Sequence, residues 1–375
     1  MSHAAGLKAL QQQVADARAA QTALNICGAG SKAFYGGVPR GETLSTAGLN
    51  GIRSYEPSEL VVTVGAGTPL LELEAALAEQ GQCLPFEPPR FAVNGTPGGT
   101  VGGMVAAGLA GPARAAVGGV RDYVLGATLL NGRAELLNFG GTVMKNVAGY
   151  DVSRLLAGSM GVLGVICEVS LKVLPVAVCS VSLRLEMDET SAIQRLNHWG
   201  GQALPLNASA WWEGTLVLRL SGAAAAVDSA QQRLGGEVVD APMAAAFWVG
   251  LRDQRDEYFN AAAMAVQRGA SLWRLSVPAT SPPLRLSGEQ LVEWGGALRW
   301  LCTSAPAHVM RDAAAAVGGH ATLFRCMDKH VDKTADKSAS TFTPLKAPLD
   351  RIHRELKTAF DPDRVFNPGR LYADL

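Results

Sequence analysis

The sequence predicts an α+β protein built from two domains of different composition. Glycine makes up 28 of the first 164 residues but only 14 of the remaining 211. All seven tryptophans, in contrast, lie after position 198. Short apolar runs alternate with stretches of helical spacing, which is typical of mixed α and β structure. Because the composition changes after Pro175, we assign residues 1–175 to a first domain, residues 176–340 to a smaller second domain and residues 341–375 to a C-terminal segment.

The first domain opens with a predicted helix over residues 5–20, where apolar residues recur at helical spacing. A second helix is predicted to begin with Thr68 as N-cap and Pro69 as its first residue, and to end at Gly81. The other elements predicted here are a strand that ends near Cys27, a strand at Leu60–Val64, a glycine-rich loop with a short helix at 96–111, a hairpin that turns at Asn131-Gly132, and a β-rich run at Val162–Leu174.

The second domain shows strands and helices in alternation, which favours an α+β arrangement. Its predicted strands are Ser180–Glu186, Thr215–Leu220, Leu272–Val277, Ala297–Cys302 and Ala321–Arg325. Its predicted helices lie near 189–199, 223–234, 244–267 and 306–317. Residues 328–345 are polar and predict a surface loop.

Charge and cysteine spacing exclude several classes of protein. The chain carries 33 Lys+Arg and 33 Asp+Glu, and neither half is basic, so we expect no nucleic-acid partner. The six cysteines form no C-x-x-C pair, so the sequence offers neither an iron–sulfur run nor a zinc ribbon. The longest uncharged run, Phe91–Ala113, contains seven glycines and two prolines and is therefore not expected to span a membrane. The start of the chain has no apolar core of signal-peptide length, and we expect a cytoplasmic protein.

Three glycine-rich segments of the first domain predict a ligand that lies against backbone. They are Gly28–Gly36, Gly98–Gly103 and Gly158–Val165. Glycine lets the main chain approach a ligand closely, and successive N–H groups in such turns form anion-binding sites. One such segment is weak evidence, because a structural turn would look the same. Three within 140 residues indicate a ligand with several surfaces, such as a dinucleotide.

The order of these segments resembles the vanillyl-alcohol-oxidase (PCMH)-type FAD-binding family. The resemblance rests on GAGSKAFYG, GTVGG, GGVRDYVLGATLLNG, KNVAGYDVSRLLAGSMGVLG and, far downstream, FDPDRVFNPGRL. It covers residues 25–175 and returns at 360–371. It implies an FAD-binding domain of two subdomains, an α+β cap of the FAD-linked oxidase C-terminal kind, and a C-terminal tail that returns to the flavin.

The resemblance also implies which residues bind FAD. Those expected at the pyrophosphate are Gly28, Ala29, Gly30, Ser31, Lys32, Thr100, Gly102 and Gly103. Those expected on the adenosine and ribose side are Gly158, Ser159, Gly161, Gly164 and Val165, and Asn367 is expected near the isoalloxazine ring. Lys145, Tyr150 and Asp151 match the K-x-x-x-GYD stretch of the family; Lys145 is expected either near the cofactor or in a salt bridge that supports the fold.

The sequence departs from the family pattern at its histidines. None lies between positions 4 and 197, so we predict FAD that is not covalently attached, and no metal site is predicted because the H-A-G-D-G-N-x-H motif of the catalytic members is missing. His320 and Arg325 are the candidate base and carboxylate clamp, with a purely structural role as the alternative. Trp211 and Trp212 are adjacent, so one is expected either at a partner surface or at a buried strand edge.

Within the family, the residues are most similar to the smaller flavin-type subunits of multi-subunit glycolate oxidases. This resemblance implies a complex that oxidises glycolate, or a similar 2-hydroxy acid, to the 2-oxo acid, with a larger FAD subunit and an iron–sulfur subunit as partners. The missing metal ligands favour a substrate site on the larger subunit. Two alternatives stay open: a free-standing FAD-dependent 2-hydroxy-acid dehydrogenase, and a scaffold subunit that has lost FAD. Membrane association is expected only through partners.

Overall fold

The computed structural model describes residues 3–141, 151–327 and 340–375. Its helices are α1 (His3–Ala20), α2 (Leu70–Glu79), α3 (Val101–Ala107), α4 (Arg114–Val117), α5 (Val152–Leu155), α6 (Glu189–Gly200), α7 (Ala224–Leu234), α8 (Ala241–Asp253), α9 (Glu257–Gln267), α10 (Ala307–Ala316) and α11 (Leu349–Phe360).

The strands are β1 (Leu24–Cys27), β2 (Glu42–Ser45), β3 (Ile52–Glu56), β4 (Val61–Gly65), β5 (Gln82–Cys83), β6 (Ala92–Val93), β7 (Thr96–Pro97), β8 (Val124–Leu130), β9 (Leu136–Gly140), β10 (Val165–Lys172), β11 (Leu174–Pro175), β12 (Cys179–Glu186), β13 (Leu206–Trp212), β14 (Thr215–Gly222), β15 (Glu237–Val239), β16 (Ser271–Ser276), β17 (Gln290–Glu293), β18 (Leu298–Thr303) and β19 (His320–Arg325).

The chain divides into two units, and each is assembled from separated segments. The first unit comprises Met1–Leu109, Gly119–Pro175 and Pro344–Leu375, and the second comprises Ala110–Gly118 and Val176–Thr343. The structure therefore groups residues 110–118, which the sequence analysis assigned to the first domain, with the second unit. The reason is local: α4 packs on β13, and Trp294 Nε1 of the second unit donates a hydrogen bond to the Gly111 carbonyl at 3.0 Å.

The first unit contains a five-stranded antiparallel sheet in the order β3-β4-β10-β8-β9 and a separate parallel pair, β1-β2. Strand β10 is central in the sheet, and six of its eight residues are buried. One buried cluster joins α1, the β1-β2 pair and the sheet through Val14, Leu24, Leu44, Val165 and Phe366. This cluster fixes the end of β1, from which the first glycine-rich loop continues.

The second unit is built on an eight-stranded antiparallel sheet in the order β15-β12-β14-β13-β17-β18-β16-β19. One core cluster packs α6 and α7 against β12 and β14. A second packs α10 against β16, β18 and β19. Helices beside an antiparallel sheet are the α+β architecture, so the predicted fold class is confirmed for both units.

Several local predictions are wrong, each for a physical reason. Thr68 is not an N-cap, because its hydroxyl accepts a hydrogen bond from the Gly51 N–H at 2.8 Å and α2 begins at Leu70. In contrast, the predicted hairpin with Asn131-Gly132 at its turn is confirmed as β8-β9; its connection has five residues, and the Asn131 side chain accepts from the N–H groups of Arg133 and Glu135. The predicted helix 244–267 is two helices, α8 and α9, and β13, β15, β17 and α11 were not predicted.

The glycine-rich run Phe91–Ala113 is not one helix. It forms the short strands β6 and β7, helix α3 and loops. Among the residues that the structure describes, no helix is both long enough and apolar enough to cross a membrane. The same residues hold no group of three or more His, Cys, Asp or Glu side chains that could bind a metal ion.

Candidate functional site: a cleft in the first unit

A cleft in the first unit brings together the end of β1, the start of α3, the loop before β10 and the C-terminal tail. The cleft and its opening to solvent contain about 840 Å³ of space that no protein atom fills. Its lining residues are Asn25, Ile26, Cys27, Gly28, Ala29, Gly30, Ser31, Lys32, Ala33, Pro39, Thr46, Thr100, Gly102, Gly103, Ala106, Ala107, Met160, Gly161, Gly164, Ile166, Asn367 and Arg370. The only charged members of this set are Lys32 and Arg370, so the cleft is electropositive and suits an anionic ligand.

The loop after β1 presents backbone donors. Within the described part of the chain, the N–H groups of Ala29, Gly30 and Ser31 have no hydrogen-bond acceptor. Gly30 adopts φ +71°, and a Cβ there would meet no atom closer than Cys27 Sγ at 4.0 Å. Ala29 and Gly30 are exposed and Ser31 is buried, and successive free N–H donors along one such loop are the arrangement expected around an anion.

The second glycine segment lines the cleft and forms the start of α3. Thr100 caps α3, and its hydroxyl accepts from the Gly103 N–H at 3.3 Å. The N–H groups of Val101 and Gly102 donate to the carbonyls of Thr68 and Ala66, so the first turn of α3 has few donors left for a ligand. A Cβ on Gly102 would lie 2.7 Å from the Ala66 Cβ. This segment therefore lets the backbone pack closely, and Gly103 leaves room in the cleft.

The C-terminal tail closes one side of the cleft. Asn367 adopts φ +43°; its side-chain oxygen accepts from the Ile26 N–H at 2.7 Å, and its amide nitrogen donates to the Met160 carbonyl at 2.7 Å. Arg370 is 6% exposed, and its guanidinium donates to the carbonyls of Ala33, Gly37 and Tyr35. Burial lowers the pKa of Arg370 to about 10. Both side chains hold the glycine-rich loop in place.

Comparison with known proteins identifies the family. The model of an FAD binding domain matches residues 4–153. Glycolate oxidase subunit GlcE of Escherichia coli K12 is 45% identical over 368 residues, which is 98% of each chain. Glycolate oxidase subunit GlcD of Bacillus subtilis 168 is 30% identical over 151 residues, covering 40% of this chain and 30% of that protein.

The chain belongs to the family of glycolate oxidase subunit GlcE. Its fold is similar to that of alkyldihydroxyacetonephosphate synthase, with a TM-score of 0.62 and 15% identity over 96% of this chain and 75% of the synthase. The predicted family, its FAD cofactor and its oxidoreductase class are thereby confirmed. The chemistry of the cleft fits FAD: two cations, free loop N–H groups and no carboxylate among the lining residues suit a pyrophosphate.

Most of the cofactor residues predicted for the GlcE-family chain meet at this cleft. Eleven of the fourteen line it, and the exceptions are Gly158, Ser159 and Val165. Val165 is fully buried in the core cluster instead. The Gly158 N–H donates to the Val105 carbonyl at 2.9 Å, and the Ser159 hydroxyl accepts from the Gly161 N–H. Cys27, Met160 and Arg370 line the cleft but were not predicted, although Arg370 stands inside the NPGR motif.

The K-x-x-x-GYD stretch is described only in part. Lys145 and Tyr150 lie outside the described residues. Asp151 is the N-cap of α5: its carboxylate accepts from the Arg154 N–H at 3.4 Å and forms an ion pair with Arg154 Nε at 3.1 Å. Asp151 does not line the cleft.

His320 and Arg325 are not brought together. They occupy the two ends of β19 in the second unit, five residues apart, which is about 16 Å along a strand. Arg325 donates to the Gln254 side chain at 3.2 Å and stacks over the Phe324 ring, and burial lowers its pKa to about 10. A base and a clamp that far apart cannot hold one small 2-hydroxy acid between them.

Neither Trp211 nor Trp212 is exposed. Trp211 packs on the core of α6 and α7, and its indole N–H donates to the Met187 carbonyl at 2.8 Å. Trp212 lies on the other face of β13 with its ring 6.0 Å from that of Tyr258. Both rings therefore occupy half-buried strand positions, and neither is the exposed ring expected at a partner surface.

Proposed function

We propose that this chain is the FAD-holding subunit of a glycolate oxidase complex that oxidises glycolate to glyoxylate. The observation that carries the proposal is the electropositive cleft of the first unit, with three free N–H groups in succession, in a chain 45% identical to GlcE over almost its full length. In this proposal the eleven lining residues named above hold FAD without a covalent bond.

Different residues of the cleft contribute to FAD binding in different ways. The N–H groups of Ala29, Gly30 and Ser31, with the Lys32 ammonium, hold the pyrophosphate through charge-assisted hydrogen bonds. Gly103 and Ala106 leave space beside α3. Arg370 fixes the loop and keeps a cation at the cleft. FAD, when bound, supplies the capacity to accept a hydride or single electrons and to release them to another carrier.

We propose that the substrate is oxidised on a larger FAD subunit similar to GlcD, and that an iron–sulfur subunit accepts electrons from the complex. Two features of this chain support that assignment. His320 and Arg325 do not form a joint substrate site. The sequence also has no cysteine run for a cluster of its own. We propose a cytoplasmic location, with membrane association through these partners.

The absorption spectrum of the purified chain is the first test. Bound FAD gives visible flavin bands that persist through gel filtration and are released by acid denaturation, because the attachment is non-covalent. A colourless chain that does not take up added FAD would establish the scaffold alternative and overturn the proposal.

Anaerobic mixing with glycolate then separates the remaining alternatives. The isolated, flavin-loaded chain is expected to stay oxidised, and to be reduced when the reconstituted complex receives glycolate. If glycolate instead reduces the flavin of the isolated chain as fast as the complex turns over, the chain is a free-standing 2-hydroxy-acid dehydrogenase. A partner complex without this chain is the control for reduction on the larger subunit.

A further inference from the structure

Four polar side chains of the second unit share one face of its sheet. Strand pairing sets Arg274 opposite Thr322 and Ser276 opposite His320. Directly opposed residues of antiparallel strands project to the same side, and residues two apart along β16 do so as well. The proximity of the charges agrees with this: burial and the Arg274 guanidinium lower the pKa of His320.

Within the described residues, these four side chains lack hydrogen-bonding and ionic partners. Arg274, Ser276, His320 and Thr322 make no side-chain hydrogen bond or ion pair to any of residues 3–141, 151–327 and 340–375. Thr322 is 3% exposed, Arg274 and Ser276 are half-buried and His320 is exposed, so the group extends from the sheet to the surface. A half-buried guanidinium without an acceptor is an incomplete arrangement, because its charge and its five donors favour a carboxylate partner.

Trp294 adds a second unusual feature at the same place. Its ring lies 5.1 Å from the Arg274 guanidinium and 4.6 Å from that of Arg114. Its backbone has φ +55°, which is rare for a bulky residue, and Gly295 and Gly296 continue the left-handed stretch. The Trp294 indole N–H donates to the Gly111 carbonyl, and the Gly295 N–H donates to Ser209 Oγ at 2.9 Å. The fold thus maintains a strained backbone that places an aromatic ring beside two cations.

We propose that Arg274, Ser276, His320 and Thr322 form a binding site for a small monocarboxylate anion. The Arg274 guanidinium takes the carboxylate, and the hydroxyls and imidazole take a hydroxyl or oxo group on the adjacent carbon. The sequence suggested His320 as a base beside Arg325; in this site His320 is a polar contact, and its cationic partner is Arg274. The site belongs to the second unit alone, so it goes beyond the flavin function proposed above and stands without it.

Equilibrium binding of glycolate to the full chain tests this site. Isothermal titration is expected to show binding of glycolate and glyoxylate, and no binding of the neutral isostere glycolamide. Arg274→Gln is expected to weaken glycolate binding at least tenfold. Ser276→Ala removes one hydroxyl with little change in shape and is expected to weaken it severalfold, which gives a second measurement if Arg274→Gln disturbs folding.

The matched control is Arg268→Gln, an exposed arginine at the end of α9, which should leave glycolate binding unchanged. Binding that Arg274→Gln does not alter, or equal binding of glycolamide, would overturn the site. So would absence of glycolate binding to the folded wild-type chain. Loading with FAD can be followed separately by absorbance, so failure of the carboxylate site and failure of the flavin proposal are distinguishable.

Discussion

Single residues of the C-terminal tail hold the first unit together. Lys357 and Asp361 are both fully buried, and their ion pair spans 2.7 Å. The same ammonium donates to the carbonyls of Val162 and Phe366, and the Asp361 carboxylate accepts from the N–H groups of Val365 and Phe366. All three ammonium donors and both carboxylate oxygens are therefore used, which is the condition under which a buried ion pair is tolerated.

Replacement of Lys357 by Met should be strongly destabilising. The carboxylate of Asp361 would stay buried without its counter-charge, which typically costs about 3–5 kcal/mol. Urea unfolding followed by far-UV circular dichroism measures the loss. Lys346→Met, at an exposed position before α11, should change the free energy of unfolding by less than about 0.5 kcal/mol. A similar small effect at position 357 would show that the pair is not needed.

The sequence predicted residue types at the cleft better than their roles. Asn367 was expected beside the flavin and does line the cleft, but both ends of its amide are occupied by Ile26 and Met160. Gly28 was expected at a ligand, yet a Cβ there would lie 2.3 Å from the Thr100 hydroxyl. A motif fixes the residue, whereas such contacts depend on segments far apart in sequence. Pattern alone could not separate packing from ligand contact.

At the scale of elements, the N-cap of α9 carries a titratable group. The Asp256 carboxylate accepts from the Phe259 N–H at 3.1 Å, and burial raises the pKa of Asp256 from 3.8 to about 6. Between about pH 4 and pH 6 the folded state therefore retains a proton that the unfolded chain has released. Stability from this group is present below pH 4 and falls as the pH rises through 6, by up to about 3 kcal/mol.

Asp256→Asn should remove this loss, because the amide oxygen still caps the helix and carries no charge. The variant is expected to be more stable than the wild-type chain above pH 6, with the difference vanishing towards pH 4, in urea titrations across that range. Asp188→Asn is the control at an exposed N-cap, where hydrogen bonds from Ser191 lower the pKa of the carboxyl. That variant should gain no stability at neutral pH. A pH-independent difference at Asp256 would contradict the explanation.

Elements with a strong hydrophobic periodicity were predictable from the sequence. Elements that form only through contacts with neighbouring segments were not. Strands β10, β12 and β14 are long and apolar at regular intervals, and each lies within two residues of its predicted limits except at the start of the β-rich run at 162. Strand β15 has three residues and depends on pairing with β12. Helix α11 exposes most of its surface and buries only Lys357 completely, so its apolar positions gave a weak signal.

At the scale of the whole molecule, the two units report their stability through different signals. All seven tryptophans lie in Val176–Thr343, and every residue that lines the cleft lies in the first unit. FAD at one hundred times its Kd should stabilise the first unit by about 2.7 kcal/mol. We expect thermal unfolding by circular dichroism to shift upwards with FAD, while the midpoint followed by tryptophan fluorescence stays in place.

A leucine at position 106 is the matched test of where FAD binds. Ala106→Leu places a larger side chain in the cleft and should abolish the FAD-dependent shift, whereas Ala78→Leu, exposed on α2, should retain it. An equal shift of both signals in the wild-type chain would place FAD's stabilising contacts outside the first unit alone.

The sequence indicated two regions from composition, but a nine-residue excursion such as 110–118 leaves no compositional trace.

The pairing of β1 with the tail has a consequence for biosynthesis. The Ile26 N–H donates to the side chain of Asn367, which is 341 positions downstream, and Arg370 holds the loop after β1. During translation the segment around β1 is therefore synthesised first, but its contacts with the tail form last. Until the tail leaves the ribosome, the apolar end of β1 stays uncovered, and cofactor loading must follow synthesis. Cellular FAD would then act on a completed chain and not on a nascent one.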